Sequence, residues 1–263
     1  MSTRNSAVRV PDEDRESVAR NGGPPVSVSL LGELARRTQV PTRWPSLAGG
    51  IPARDRELGQ HGRRTVGKLL EAGLAELADK GYQALRVDDV VRRARISHGT
   101  FYLYFASKED LFSSLVADVL RDMRVIAGDF PVVTPDSAGR AALRGWVGRF
   151  SELYLSHATI IRILSQEEVV GADIWADGMR VLLRLGQAIA QGMTAAVRSR
   201  HGSNGSGSAC SRQDELTALA CLTLLERVNY LFAVGVRLPR AEMMDRLTDI
   251  VYAAFCAAAD ETR

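Results

Sequence analysis

From residue 63 onward, apolar residues recur at steps of three and four positions along almost the whole chain. The pattern begins with Val66, Leu69 and Leu77, and the same spacing continues as far as Phe255. Such spacing places apolar side chains on one face of an α-helix, whereas a half-buried strand needs apolar and polar residues to alternate. No alternating stretch competes with the helical pattern. The sequence therefore predicts an all-α fold.

Two of the predicted helices are short and lie close together. They cover about Val87 to Ala94 and His98 to Tyr104, with three residues between them. Ser97 is a good N-cap for the second helix, because its hydroxyl can accept a hydrogen bond from the first turn. A short helix pair with such a turn is typical of a helix-turn-helix, whose second helix lies in the DNA major groove. Ser107 and Asp110 resemble a capping box that opens the next, longer helix.

The segment that contains this helix pair resembles the N-terminal domain of the TetR family of transcriptional regulators. The residues that carry the resemblance are Gly81, Tyr82, Val90, Ala94, Ile96, Ser97, Gly99, Thr100, Phe101, Tyr102, Tyr104, Phe105, Ser107, Lys108 and Leu111. It extends from Arg63 to Phe112, and the rest of the chain shows only the family's helical layout. The resemblance implies an N-terminal three-helix helix-turn-helix domain and a larger C-terminal helical domain for ligand binding and dimerisation.

Residues of the second short helix are the main candidates for contact with DNA. Gly99 allows close approach of the backbone, and polar side chains beside it can bond to base edges or phosphates. By resemblance, Tyr102, Tyr104 and Lys108 stand where family members commonly touch DNA, although Tyr104 could equally be a packing residue. The complete predicted set is Arg86, Ser97, His98, Gly99, Thr100, Tyr102, Leu103, Tyr104 and Lys108. Phe101 and Phe105 are expected in the core, against Val90 and Leu74.

The first short helix departs from the family pattern. Many members have Thr or Ser at its start, where this chain has Leu85, Arg86 and Val87. The hydroxyl cap is therefore missing, and Arg86 can replace the phosphate contact by charge. Asp88 and Asp89 favour the helix N-terminus but oppose a nearby phosphate. The basic cluster Arg92, Arg93 and Arg95 is interpreted as a phosphate contact or as a solvated face.

The composition divides the chain into three parts. Residues 1–60 mix Pro, Gly, Ser and both charge signs, so they are expected to be mostly disordered apart from a short helix near Ser29 to Arg37. Residues 61–107 form the predicted helix-turn-helix domain. Residues 108–263 form the predicted effector-binding and dimerisation domain, with a flexible loop at 201–212 that is rich in Gly and Ser.

The larger domain offers two further expectations, both drawn with the resemblance. The last two helices have broad apolar faces and are expected to pair with those of a second copy, with Glu226, Arg227 and Asn229 either in ion pairs or at the rim. A small-molecule effector is expected to bind between the middle helices. The candidate pocket residues are Trp146, Phe150, Tyr154, Trp175 and Met179, for each of which core packing is the alternative. Glu167, Glu168 and Asp173 could select a cation or form a solvated turn.

The remaining features exclude other classes of function. The net charge of +3 does not by itself indicate a nucleic-acid partner, and the three cysteines show no C-x-x-C spacing, which suits a reducing compartment. The histidines have no metal-ligand spacing and there is no G-x-S-x-G motif, so neither an enzyme nor a metal or other cofactor is expected. No signal peptide or membrane span is expected, which predicts a cytoplasmic protein. The leading hypothesis is a repressor that binds a palindromic operator in double-stranded DNA as a homodimer; an activator, or a helical scaffold with a vestigial helix-turn-helix, remains an alternative.

Overall fold

The computed structural model describes residues 29–37, 57–165, 172–201 and 210–260, and within these ranges it is helical, without strands. The helices are α1 (Leu30–Arg37), α2 (Gln60–Ala84), α3 (Val87–Ala94), α4 (His98–Tyr104), α5 (Lys108–Gly128), α6 (Ser137–Ser156), α7 (Ala158–Leu164), α8 (Ala172–His201), α9 (Arg212–Ala233) and α10 (Arg240–Asp260). The all-α prediction is confirmed. The predictions of disorder before residue 60 and of a flexible loop at 201–212 fall mostly outside the described residues.

The N-terminal unit is built from α2, α3 and α4 on the first turns of α5. Gly73 of α2 has no side chain, and Leu111 of α5 comes within 2.7 Å of where its Cβ would be. The next residue, Leu74, is 36% exposed, so it is less buried than the predicted packing with Phe101 and Phe105 implies. The two phenylalanines are buried, as the sequence predicts.

α2 ends through a break at Gly81. This residue has φ 76° and ψ 173°, a conformation outside both the right-handed and the left-handed helical regions. A positive φ of this kind is readily adopted only by glycine. The break redirects the chain towards α3, and Leu85, in the connection between the two helices, is buried.

The C-terminal unit packs around α8. This helix contacts α5, α9 and α10, while α6 lies against α10. Salt bridges of 2.5 Å from Arg140 to Asp249 and from Arg144 to Asp245 tie α6 to α10 on the outside. In the interior, the Trp146 indole donates to the Ile126 carbonyl at 3.0 Å. The same α5 that supports the helix-turn-helix therefore continues into this second core.

α1 packs on the C-terminal unit although it precedes α2 in the chain. Leu31 is fully buried, and its side chain lies against α8 at Gly186. The backbone N–H of Leu30 donates to the buried carboxylate of Glu215 on α9 at 2.5 Å. The predicted short helix thus exists, and it is held by tertiary contacts as well as by its own apolar spacing.

Within the described ranges, α9 alone is long and apolar enough to cross a membrane by length and composition. A packed helix of a helical domain passes the same test. α9 buries the polar side chains of Glu215 and Asn229 and contacts α6, α7, α8 and α10. These contacts are those of a helix packed within a folded domain.

The cysteines of the described part of the chain are buried or half-buried. Cys221 is buried, which raises the pKa of its thiol to about 11, and Cys210 and Cys256 are half-buried. No group of three or more His, Cys, Asp or Glu side chains is arranged to hold a metal there.

Candidate DNA-binding site

The α3–α4 unit is a helix pair joined by a tight turn. The turn begins at Arg95, whose φ of 56° and ψ of 46° are left-handed, and the Ile96 N–H donates to the Val91 carbonyl at 3.0 Å. Ser97 then caps α4, because its hydroxyl oxygen accepts from the Thr100 N–H at 3.1 Å. The predicted N-cap and the predicted bounds of both short helices are confirmed. Phe101 anchors α4 from beneath, being fully buried.

The opposite face of α4 is open to solvent and partly apolar. Tyr102 is 56% exposed and Leu103 is 66% exposed, while His98 and Gly99 lie on the same outer surface. Tyr104 is half-buried, and its hydroxyl lies near Gly62 of α2. Large apolar side chains held outward on a short rigid helix are available to a partner surface. This exposed face, with the first turn of α4, is the candidate reading surface.

His98 is paired with Asp88 of α3. Its Nε2 lies 2.6 Å from Asp88 Oδ1, and both side chains are more than half exposed. A carboxylate accepts hydrogen bonds, so the proton of this bond belongs to Nε2. In the neutral imidazole Nδ1 then carries the lone pair. The pair joins the two short helices across the candidate surface.

Lys108 contacts the protein's own backbone. Its ammonium lies 3.2 Å from the Leu85 carbonyl and 3.4 Å from that of Tyr82, at the end of α2, and it stands 5.2 Å from the centre of the Tyr82 ring. The Tyr82 ring packs in turn on Phe112 with centroids 4.7 Å apart. Lys108 therefore fastens the first turn of α5 to the connection between α2 and α3. No sequence signal predicts this contact, because the partners of Lys108 are backbone carbonyls more than twenty positions away.

The arginines near the turn do not act as one cluster. Arg93 turns back to α2, where it donates to Glu76 at 2.7 Å and to Asp79 at 2.5 Å, while Arg92 pairs with Asp89. Arg93 is thus engaged with α2, and its interpretation as a phosphate contact stays a prediction. Arg86 and Arg95 are exposed, and Arg86 stands at the start of α3 without a side-chain cap, as expected.

Glu76 is the centre of an ion-pair network between α2 and α3. Its side chain is 5% exposed and lies 2.8 Å from Lys80, which also reaches Asp89 at 2.8 Å. The ion pair with Lys80, with help from Arg93, holds the pKa of the Glu76 carboxyl below its ordinary value even though burial acts against it. The network thus fixes the angle between the supporting helix and the helix-turn-helix.

A second candidate site is a cavity of about 260 Å³ in the C-terminal unit. Three of the five predicted pocket residues, Tyr154, Trp175 and Met179, line it. Trp146 and Phe150 do not, because they are fully buried in the adjoining core. The remaining wall comes from Val119, Leu120, Met123, Ile161, Leu164, Ser165, Gly178, Val181, Leu182, Glu226 and Arg227. Of the three predicted acidic selectors, Glu167 and Glu168 lie outside the described residues, as does the side chain of Asp173.

Glu226 and Arg227 belong to this cavity, whereas the sequence placed them on the dimer face. Tyr154 donates to Glu226 Oε1 at 2.8 Å, across 72 positions of sequence. Asn229 is fully buried, and its amide donates to the Leu225 carbonyl at 2.8 Å. Helical spacing alone could not distinguish a cavity wall from an outer face on α9, because apolar residues surround most of this helix.

Comparison with known proteins agrees with this geometry. Residues 69–115 match the model of bacterial regulatory proteins of the tetR family. The HTH-type transcriptional repressor SCO4008 of Streptomyces coelicolor is 27% identical over 103 residues, which cover 39% of this chain and 49% of that protein. The transcriptional regulator AcuR of Cereibacter sphaeroides is 42% identical over 48 residues, 18% of this chain and 22% of AcuR. The alignments thus span half or less of these relatives.

Solved structures extend the likeness beyond the helix-turn-helix. A tetR-family transcriptional regulator from Streptomyces coelicolor has a TM-score of 0.56 and 20% identity, with 77% of this chain and 84% of that chain covered. The fatty acid degradation regulator FadR from Bacillus halodurans has a TM-score of 0.51 and 16% identity, covering 79% and 99%. At such identities the likeness shows a shared fold, which includes the C-terminal helical unit.

Proposed function

We propose that this chain, whose residues 69–115 match the model of bacterial regulatory proteins of the tetR family, is a transcriptional repressor of that family that binds a palindromic operator as a homodimer. The observation that carries the proposal is the exposed outer face of α4, held rigidly by Phe101 and by the Ser97 cap. A short helix of this kind fits the major groove and reads few bases, so two copies related by a two-fold axis are needed for an operator of useful length.

The outer faces of α9 and α10 support the dimer. Leu216 of α9 is 50% exposed and Ile250 of α10 is 55% exposed, which is unusual for large aliphatic side chains in packed helices. Small residues, Ala220 on α9 and Ala253 on α10, are also exposed and allow close approach of another helix. Four helices, two from each copy, would cover this surface.

Release of DNA by a small molecule is the third part of the proposal. Val119, Leu120 and Met123 of α5 line the cavity, and Lys108 at the start of the same helix contacts the connection that leads into α3. Suppose that α5 lies differently in the DNA-binding and the released conformation. A ligand that binds one of these conformations more tightly would shift the population towards it. The Lys108 contact supports α5 as the connecting element.

The test is selection of bound duplexes from a random pool, followed by titration of the selected site. We expect an inverted repeat, and a fall in log affinity with log salt whose slope reflects several phosphate contacts. The variant His98→Ala with Tyr102→Ala should lose at least tenfold in affinity, or about 1.4 kcal/mol. Val125→Ala with Val132→Ala removes two exposed apolar side chains elsewhere and should leave the affinity unchanged.

Two results would contradict the proposal. One is a selected pool without a repeated half-site, and the other is unchanged affinity in the His98 and Tyr102 double variant. A salt slope near zero would instead favour a helical scaffold with a vestigial helix-turn-helix.

A further inference from the structure

The two hydroxyl groups in the wall of the cavity of about 260 Å³ are already engaged as donors, while the Trp175 indole N–H is a further neutral donor in that wall. The Tyr154 hydroxyl gives its proton to Glu226, and the Ser165 hydroxyl gives its proton to the Ile161 carbonyl at 3.0 Å. Each hydroxyl therefore offers only lone pairs to a ligand, and the carboxylate of Glu226 can only accept. Among the described lining residues, Arg227 alone brings charged donors, and it stands at the outer rim with its side chain 63% exposed.

Glu226 has capacity left for a further partner. Tyr154 occupies Oε1, while Oε2 lies 4.0 Å from Arg227 Nε, too far for a hydrogen bond. The Arg227 guanidinium lies instead over the Tyr230 ring, 5.0 Å from its centre. Burial, and then the charge of Glu226, raise the pKa of Tyr154, so this hydroxyl stays a donor to the carboxylate. Glu226 therefore contributes to the cavity wall a carboxylate whose Oε2 has no short hydrogen bond from the described residues.

The rest of the wall is apolar and partly aromatic. Leu120, Ile161 and Leu182 provide aliphatic surface from three different helices, and Trp175 provides an aromatic ring. The volume of about 260 Å³ is slightly below the usual range of about 300 to 1,000 Å³ for drug-sized ligands, which limits the ligand to about one ring and a short tail. An aromatic ring also favours a nearby cation.

We propose that this cavity binds a small apolar molecule that carries one protonated amine, with the ammonium on Glu226 and the apolar body among the residues of α5, α7 and α8. The inference rests on the proposed effector role of the cavity and specifies its ligand class. A carboxylate in the same position would meet the lone pairs of Tyr154 and the charge of Glu226, and among the described lining side chains only the neutral Trp175 indole N–H and the rim Arg227 could donate to it.

Calorimetric titration of the full chain at pH 7 with three matched compounds tests the proposal. The compounds are 2-phenylethylamine, which is an ammonium at this pH, 2-phenylethanol and 3-phenylpropanoate. We expect affinity to fall in that order, with the ammonium at least tenfold tighter than the carboxylate. Glu226→Gln should weaken the ammonium by about tenfold or more, because a charged hydrogen bond becomes a neutral one. Glu152→Gln, an exposed acid on α6, is the matched control and should change nothing.

The second variant is Tyr154→Phe, which keeps the carboxylate and removes the hydroxyl that occupies Oε1. Tyr154→Phe should bind the ammonium more tightly than the carboxylate, as the wild type does. A loss specific to Glu226→Gln is then due to the missing charge when that variant still binds the neutral 2-phenylethanol, and to misfolding when it binds none of the three compounds. The proposal is overturned if the carboxylate binds as well as the ammonium, if Glu226→Gln leaves the ammonium affinity unchanged, or if none of the three compounds binds at millimolar concentration.

Duplex titration of the same samples separates this proposal from the one on which it rests. If the chain binds its selected duplex but the order of the three compounds is reversed, the ligand class is wrong and the regulator stands. If the chain binds the ammonium as expected but binds no duplex, the proposed function fails while the ligand class stands.

Discussion

At the scale of single residues, the turn between α3 and α4 depends on a strained position. Arg95 has φ 56° and is the only residue other than glycine with a positive φ in the described part of the chain. A left-handed conformation costs about 1–2 kcal/mol for a residue with a Cβ. A glycine there would adopt it without that cost. The side chain of Arg95 is exposed, so the strained conformation is needed for the backbone of the turn. It also leaves the positive charge of Arg95 beside α4.

Arg95→Gly should therefore raise the free energy of unfolding by about 1 kcal/mol, part of the relief being offset by the greater freedom of glycine in the unfolded chain. Urea denaturation at neutral pH measures this. Arg92→Gly is the matched control, because it changes an exposed arginine in the regular part of α3 and should lower the free energy by about 1 kcal/mol. A loss of stability in both variants would show that Arg95 makes contacts worth more than its strain.

The Asp88–His98 pair leads to a second prediction at this scale. Asp88→Asn removes an anion from the candidate DNA surface and replaces the charged acceptor that holds His98 Nε2 with a neutral amide. We expect tighter binding to unrelated duplexes, together with a loss of about 1 kcal/mol or more of discrimination at one position of each half-site. Parallel selections with the wild type and the variant measure both effects. The control is Asp129→Asn, an exposed carboxylate at the end of α5. Identical selected sequences for wild type and Asp88→Asn would refute a reading role for the pair.

At the scale of elements, local signals predicted α3 and α4 well, while the partners of charged residues could not be predicted. The bounds of these helices follow from apolar spacing and from the Ser97 cap, which involve neighbours within four positions. The Ser107 cap of α5 also forms, although Asp110 accepts from the Ala106 N–H at 2.9 Å, one residue earlier than in a regular capping box. By contrast, tertiary packing determines the partners of Arg93, Lys108 and Glu226, which lie on other elements. The spacing of residues in the sequence does not predict such partners.

The contact between α2 and α3 is expected to depend on pH through Glu76. Since Lys80 and Arg93 lower the pKa of this carboxyl in the folded protein, its contribution is complete above the ordinary value of about 4.3 and is lost as pH falls through the lower folded value. Glu76→Gln should cost about 1–3 kcal/mol at pH 7 and progressively less below pH 4. Urea midpoints across pH 3 to 7 measure the difference.

Glu71→Gln is the control for this series, because Glu71 is an exposed acid on the same helix. Its unfolding midpoint should follow the wild type at every pH. A constant difference between Glu76→Gln and the wild type from pH 7 down to pH 3 would mean that shape rather than charge is lost in the variant.

At the scale of the whole molecule, order along the chain differs from order in space. α1 comes before the helix-turn-helix, yet Leu31 is buried against α8 and the Leu30 N–H satisfies Glu215 at the start of α9. The same two helices contribute Met179 and Glu226 to the cavity. A segment that precedes the DNA-binding unit therefore contributes to the core of the other unit, and removing it would leave a buried carboxylate without its donor.

Leu31→Ala should accordingly destabilise the C-terminal unit, although Leu31 lies before α2 and the helix-turn-helix in the chain. If α1 stays docked, truncation of a fully buried leucine lowers the free energy of unfolding by about 2–5 kcal/mol. If α1 detaches, the loss of stability cannot exceed the free energy with which α1 docks. Calorimetric melting of the full chain measures this, with Val132→Ala as an exposed control. If the α8–α9 core depends on α1, the Leu31→Ala melting temperature falls and amide exchange in α9 accelerates near Glu215. If both the melting temperature and the amide exchange are unchanged, the core of α8 and α9 is stable without the packing of Leu31, and α1 does not contribute to its stability.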